Sequence, residues 1–187
     1  MFSMRKKPPK NKPSIPSEEL ETCRHLNSLN PQYHIRWMIR SDMTTVLEIE
    51  KLSFDYPWRE KDFDAILKER NTIGVVIQDT RLSDTNTTPL GFVIYQFYKQ
   101  FIEIVDLAVH PNYRHKGVGS HLINKLKDKL SPQRRNRLVA MIGDKNLDGH
   151  LFFKNCGFRA VDIVKHHYTN PPQDAYCFKY NVIQKER

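Results

Sequence analysis

The sequence is poor in residues that staple or metallate a small protein. Three cysteines, Cys23, Cys156 and Cys177, stand far apart among 187 residues. They form neither a disulfide framework nor a zinc pattern, so a reducing, cytoplasmic setting is expected. The eight histidines show no metal-ligand spacing, and no metal is expected. No apolar run approaches the roughly 18 residues needed to cross a bilayer. The first residues lack the apolar stretch of a secretory signal, so no membrane partner is expected. Glycine is scarce at seven residues, yet two of them, Gly117 and Gly119, lie within three positions of each other.

What remains is the composition of one folded domain. The chain is 39% hydrophobic and 11% aromatic, enough for a sizeable core, and its length favours a single domain. The formal net charge of +9 attracts polyanions such as nucleic acid, a ribosome surface or a phosphorylated cofactor. Residues 1–30 carry the run MRKKPPKNKPSIP, basic, Pro-rich and with little to bury. They are expected to form a disordered tail, with a short helix over Glu18–Leu29. The tail is either a solubilising arm or an electrostatic contact to ribosome or RNA. The folded domain is expected over residues 31–187.

From His34 the pattern becomes regular. His34–Arg40 alternates apolar and polar residues as a half-buried strand does. Asp42 is placed to cap a helix in which Met43, Val46, Leu47, Ile49, Glu50 and Phe54 follow, the apolar members at helical spacing, until Pro57 ends it. A second helix is expected over about Arg59–Arg70. TIGVVIQD and PLGFVIYQFY read as strands around the polar loop TRLSDTNTT, and Phe101–Val109 as a third apolar strand. A helix over Val118–Leu130 follows the glycine loop. RLVAMIG is a strand, Asn146–Asn155 a helix closed by Gly157, and Phe158–His166 and Ala175–Asn181 are closing strands. The order β-α-α-β-β-β-α-β-α-β-β favours a mixed α/β sheet with helices on both faces.

The stretch Arg114–Ser120, RHKGVGS, lies between an apolar strand and a helix. The first N–H groups of that helix have no partner within it, and its dipole adds partial positive charge there. Gly117 and Gly119 carry no Cβ, so a phosphate is able to approach the backbone closely, and Arg114, His115 and Lys116 add positive charge or donors. The spacing fits neither a Walker loop nor the dinucleotide fingerprint. A plain strand-to-helix turn has the same appearance when the loop is read in isolation.

In context, VHPNYRHKGVGSHL after an apolar strand resembles motif A of the GNAT acetyltransferases. The resemblance extends from about Ile35 to Tyr180 through DMTTVLEIEKLSFDYPW, NLDGHLFFKNCGF and HHYTNPPQDAYCFKY. Within the family these stretches look most like the RimI branch, which acetylates the N-terminus of a ribosomal protein. The resemblance implies a single α/β domain with a mixed, mostly antiparallel sheet of six to seven strands. It implies acetyl-CoA as co-substrate and an amine as acceptor: a protein N-terminus, a lysine, or a small amine or polyamine. A CoA-binding or ribosome-binding protein without catalysis is the alternative from another class.

Carried over residue by residue, the resemblance assigns the pantetheine arm to the backbone of Leu107, Ala108 and Val109. The pyrophosphate falls to Arg114, His115, Lys116, Gly117, Val118, Gly119 and Ser120. Asn146 matches a cofactor-contacting Asn and suits a helix N-cap as well. The acidic residue of RimI-like enzymes falls at Met141, and the Tyr that protonates the thiolate falls at Phe153, a position counted with the cofactor contacts. Neither side chain exchanges a proton. Glu103, in EIVDLAV, resembles the general base of the histone-acetyltransferase branch; a partly exposed carboxylate paired with a nearby cation is the other reading. Alternation puts Glu103, Val105 and Leu107 on one face and Asp106 on the other, where it is expected to hydrogen-bond the loop or a neighbouring strand. Tyr168 matches an aromatic near the substrate amine and is a candidate acid or substrate contact. Tyr56 and Trp58 line the acceptor groove or pack between the first two helices.

Overall fold

The apolar runs between Tyr33 and Asn181 assemble into one seven-stranded sheet. The computed structural model describes residues 32–81, 88–169 and 171–182. The strands are β1 (Tyr33–Trp37), β2 (Thr72–Asp79), β3 (Gly91–Phe97), β4 (Phe101–Val109), β5 (Arg137–Gly143), β6 (Arg159–Thr169) and β7 (Pro172–Asn181). The helices are α1 (Met43–Ser53), α2 (Glu60–Leu67), α3 (Val118–Lys127) and α4 (Leu147–Asn155). The spatial order is β1-β2-β3-β4-β5-β7-β6. Among the described residues every neighbouring pair is antiparallel except β4 and β5. The expected order of elements and sheet type are observed. The expected tail and its helix lie outside the described residues, as does most of the polar loop after β2.

Helices cover both faces, and each face has its own apolar cluster. On one, Val118, Leu122, Ile123 and Leu126 of α3 and Phe153 of α4 pack with Val93, Tyr95, Ile102, Ile104, Leu138 and Ala140. These four α3 residues recur at i, i+4, i+5 and i+8, so one stripe of the helix is buried. Full burial of each such side chain is worth about 1.5–3 kcal/mol. On the other face, Val46 and Ile49 of α1 and Phe63 of α2 pack with Val76, Phe92, Ile94 and Ala108. Strand β3 is therefore buried on both sides and reads as a continuous apolar run.

Element ends show where side-chain chemistry overrides pattern. The first strand stops at Trp37, and Arg40–Asp42 forms a 3-10 turn. Asp42 does not cap α1. Its carboxylate instead accepts from Ile39 N at 2.9 Å and takes a two-pronged ion pair from Arg36 at 2.6 and 2.8 Å. This pairing satisfies a buried acid more fully than a single helix N–H would. Helix α2 is shorter than Arg59–Arg70 suggests; Asp62 accepts from Arg59 N at 2.9 Å and fixes its start. Asn146 and Gly157 take the roles expected of them. Asn146 Oδ1 accepts from Gly149 N at 2.8 Å at the start of α4, and Gly157, at φ +84°, ends the turn after it.

One irregularity changes the faces of β4. Tyr95 pairs with Ile104 but Ile94 pairs with Asp106, leaving Val105 as an extra residue in a β-bulge. Ile102 and Ile104 point toward α3 and α4; beyond the bulge Leu107 and Val109 take that side, while Val105 and Ala108 join the cluster under α1 and α2. The expected alternation is thus corrected. Glu103 and Asp106 lie on the same side, toward α1 and α2, and Leu107 lies on the opposite one.

Phe63 is fully buried, with its ring edge-on to Trp58 at 5.5 Å and to Phe92 at 5.7 Å. Phe63→Ala is expected to lower unfolding free energy by about 3–5 kcal/mol in urea denaturation.

Candidate active site

The ladder between β4 and β5 begins at Phe101 and Arg137 and stops at Ile104 and Ala140. Beyond that point β4 continues on β3, and Met141, Ile142 and Gly143 of β5 continue on β7. The strands therefore part, and Val105–Val109 face an opening instead of a partner strand. Leu107, Ala108 and Val109 form one edge of this notch, as the sequence suggests. Met141 begins the other.

The glycine loop stands beyond the end of β4. Gly117 has φ +83° and serves as N-cap of α3 without a side-chain cap among the described residues. The N–H groups of the first α3 turn, Val118, Gly119 and Ser120, lie at a helix start that accordingly suits an anion. A Cβ at Gly117 would meet nothing within 4 Å, so glycine is required there by backbone conformation. Gly119 has a different reason. A Cβ on it would come within 3.0 Å of the Phe152 ring, so it lets α4 pack on the start of α3. Gly117 is exposed and Gly119 is buried.

The basic side chains divide their tasks. Arg114 donates from Nε to Val109 O at 3.0 Å and from Nη2 to Ser53 Oγ at 2.9 Å, tying the loop to the end of β4 and to α1. Lys116 lays its ammonium over the Tyr113 ring, 5.4 Å from the centroid, and its carbonyl accepts from Tyr33 Oη at 2.9 Å. His115 is exposed and holds φ +59°, a left-handed conformation uncommon for a non-glycine residue. Asn146 is exposed at the head of α4.

Phe153 is 5% exposed and packs with Phe152, Phe158 and Phe178. Its expected cofactor contact becomes a core role in the structure. Trp58 likewise packs, edge-on to Phe63, while Tyr56 on the same connection is 65% exposed.

Glu103 lies inside the closed part of the β4–β5 ladder, opposite Gln96 and Val139. Its charge acts on the Tyr98 hydroxyl. Asp106, three residues later, stands where the ladder has ended. It faces Glu50 of α1, a residue 2% exposed. Glu50 Oε1 accepts from Trp58 N at 2.9 Å, but Glu50 Oε2 and Asp106 Oδ2 are both shut off from solvent without a hydrogen-bond donor. Burial pushes the Glu50 carboxyl up to about 7 against the opposing Trp58 N–H. Burial, then the charge of Glu50, raises Asp106 well above the usual carboxylate range. Asp106 as a whole is only half-buried, although its Oδ2 is shut off from solvent.

Tyr168 reaches from β6 across β7 and donates its hydroxyl to Met141 O at 2.9 Å. Burial, then the charge of Asp106, raises its phenol, which keeps the proton on. The structure thus brings together Asp106, Met141 and Tyr168, with Glu50 behind them. Glu50 has a legible signal: it falls on the apolar stripe of α1, four residues after Val46, where a carboxylate must find a buried partner. Its partner is visible only in the fold. Among the described residues no group of His, Cys, Asp and Glu is placed to hold a metal ion, and no helix is long and apolar enough to cross a membrane.

Residues 43–158 match the model of the acetyltransferase (GNAT) family. The chain is 24% identical over 137 residues to the ribosomal protein bS18-alanine N-acetyltransferase of Escherichia coli strain K12, covering 72% of this chain and 88% of that one. It is 26% identical over 130 residues to the enzyme of the same name from Haemophilus influenzae, covering 70% and 84%. Among solved structures, the fold is similar to that of the Escherichia coli ribosomal-protein-S18-alanine N-acetyltransferase, at a TM-score of 0.67 and 20% identity over 83% of this chain and 97% of that one. It is similar also to Arabidopsis thaliana NAA60 in complex with acetyl-CoA, at 0.69 and 19% over 81% and 100%.

Gly117→Val forces a branched side chain into the left-handed region at a cost of about 1–2 kcal/mol. Rotation of the α3 start to relieve that strain is expected to weaken acetyl-CoA uptake roughly tenfold in calorimetry.

Proposed function

This chain belongs to the GNAT family of acetyltransferases and uses acetyl-CoA as donor, and we propose that its acceptor is the α-amino group of a protein N-terminus. The observation that carries this reading is the parting of β4 from β5 beside the uncapped start of α3. A thioester seated between Leu107–Val109 and Met141 would have its diphosphate at the glycine loop and its acetyl group beside Asp106 and Tyr168. Relatives of this chain are named ribosomal protein bS18-alanine N-acetyltransferases, and an alanine amine of a protein as acceptor supports the same class.

The acid–base chemistry favours that class. An α-amino group, with a pKa near 8, needs only a modest base, whereas a lysine near 10.4 needs more help. Transfer is direct. Of the cysteines described, Cys177 pairs with Met141 but is 8% exposed, and burial raises its thiol, so it is a poor nucleophile for a covalent intermediate. The carbonyl oxygen of the thioester would be polarised by strand N–H groups at the free edge of β4. The remainder of the proposal is a cytoplasmic enzyme whose basic tail contacts ribosome or RNA, a reading supported by the chain's charge of +9.

Acetyl transfer is expected to be fastest to a peptide starting Ala-Arg, slower to a lysine peptide with a blocked N-terminus, and slower again to spermidine, in a thiol-release assay. Preference for the lysine peptide or spermidine would move the acceptor to those amines, and acetyl-CoA binding with no turnover of any amine would remove the transferase reading. Deleting residues 1–30 is expected to leave the rate on a short peptide within about twofold while weakening retention on ribosomes at low salt.

A further inference from the structure

The acidic residue expected on β5 is replaced by Met141, so the proton of the acceptor amine needs another destination. The strand opposite supplies one. Asp106 stands two residues past the last β4–β5 pair, on the face given to it by the bulge at Val105. Without that extra residue, alternation would turn position 106 toward α3. With it, Asp106 turns toward α1 and meets Glu50.

The two carboxyl groups are jointly constrained. Glu50 Oε2 and Asp106 Oδ2 are buried and, among the described residues, have no donor from outside the pair. Two buried carboxylate oxygens without donors, side by side, are costly unless one of them carries a proton. Among the described residues, the other groups acting on the pair are the Trp58 N–H on Glu50, the Leu107 N–H on Asp106, and the Tyr168 hydroxyl, with no cation among them. Above about 7, where Glu50 gives up its proton, the pair therefore holds one proton between its two carboxyls and has room for a second.

We propose that Asp106, paired with Glu50, is the proton acceptor of the transfer reaction and replaces the acid absent at Met141. The inference rests on the transferase reading above. The acceptor arrives as an ammonium. One of its N–H bonds breaks and that proton passes to the pair, directly or over one water. The freed lone pair attacks the carbonyl carbon, a C–N bond forms, and the C–S bond breaks with its electrons on sulfur. A second proton leaves the new amide nitrogen and ends on the departing sulfur as a thiol. The doubly protonated pair then loses its extra proton to solvent. Asp106 is the catalytic residue; Glu50 positions it and shares its proton. A pair whose Glu50 member is pushed up to about 7 by burial suits an α-amine near 8.

The pair also leaves a mark on stability. Glu50 keeps its proton to about 7 in the folded protein but loses it near its ordinary 4.5 when unfolded. In that window the folded state binds more protons, so stability is greatest at the acid end and falls as pH rises toward 7. Glu50→Gln is expected to flatten this fall in melting temperature between pH 4.5 and 7.

The test compares Asp106→Asn, Glu50→Gln, Glu103→Gln and Glu48→Gln in acetyl transfer to the Ala-Arg peptide from pH 6 to 9. Acetyl-CoA affinity by calorimetry and circular dichroism establish that each variant is folded. Asp106→Asn is expected to lower kcat about 100-fold with acetyl-CoA affinity unchanged and to remove the rising limb of the pH profile near 7. Glu50→Gln is expected to shift that limb toward acid, because a lone Asp106 no longer faces a second charge. Glu48, exposed on α1, reports the background, and its variant is expected to match the parent. A folded Asp106→Asn with full rate and an intact limb, or a loss confined to Glu103→Gln, overturns the assignment while leaving the transferase reading standing. A parent protein that binds acetyl-CoA and acetylates no amine overturns the transferase reading and the catalytic role with it; the melting profile then reports the shared proton alone.

Discussion

The constraint on which the rest of this molecule depends is the early end of one hydrogen-bonded ladder. Strands β4 and β5 run parallel for four residue pairs and then separate. Each stays satisfied on its far side, β4 on β3 and β5 on β7, so the separation leaves free edges only where they face each other. Unpaired strand edges in the middle of a sheet are costly unless another extended, hydrogen-bonding chain lies between them. The pantetheine arm of acetyl-CoA is such a chain. On the reading proposed above, the same parting that creates a cost in the free protein creates the binding site.

The two core clusters keep the notch in shape. The cluster under α3 fixes where that helix begins, and hence where its uncapped N–H groups point. Tyr33 from β1 and Arg114 to Val109 and Ser53 hold the loop from both sides of the sheet. The cluster under α1 and α2 holds Trp58 against Phe63, which in turn presents the Trp58 N–H to Glu50. Burial raises the proton affinity of that carboxyl, and a packing residue far from the loop supplies the N–H that opposes the rise.

Much of this is written in periodicity. The helices and strands follow from apolar spacing, and their order follows from the punctuation by Pro57, Gly117 and Gly157. The loop RHKGVGS is legible as an anion site because helix starts have the same chemistry wherever they occur. Its internal division of labour is less legible. Arg114 reads as a phosphate donor but spends two nitrogens on the protein, and Gly119 reads as an open approach but makes room for Phe152. Charge and size are properties of a residue; what each faces is a property of the fold.

The acids show the boundary most sharply. Composition and spacing alone determined the elements and their order, because these depend on local propensity and on residues close in the chain; the sheet type and the family came from the resemblance of whole stretches to the GNAT enzymes. That resemblance also marked Met141 and Phe153 as side chains unable to move protons at positions where the family moves them. Only the tertiary structure decided that Asp106 faces Glu50 and that Glu103 sits in the closed ladder. A single bulge inverts the faces of a strand, and its position is set by pairing with β3, a different segment. Glu50 and Asp106 are 56 positions apart in the chain, and their shared proton exists because packing, which no local pattern encodes, buries them together.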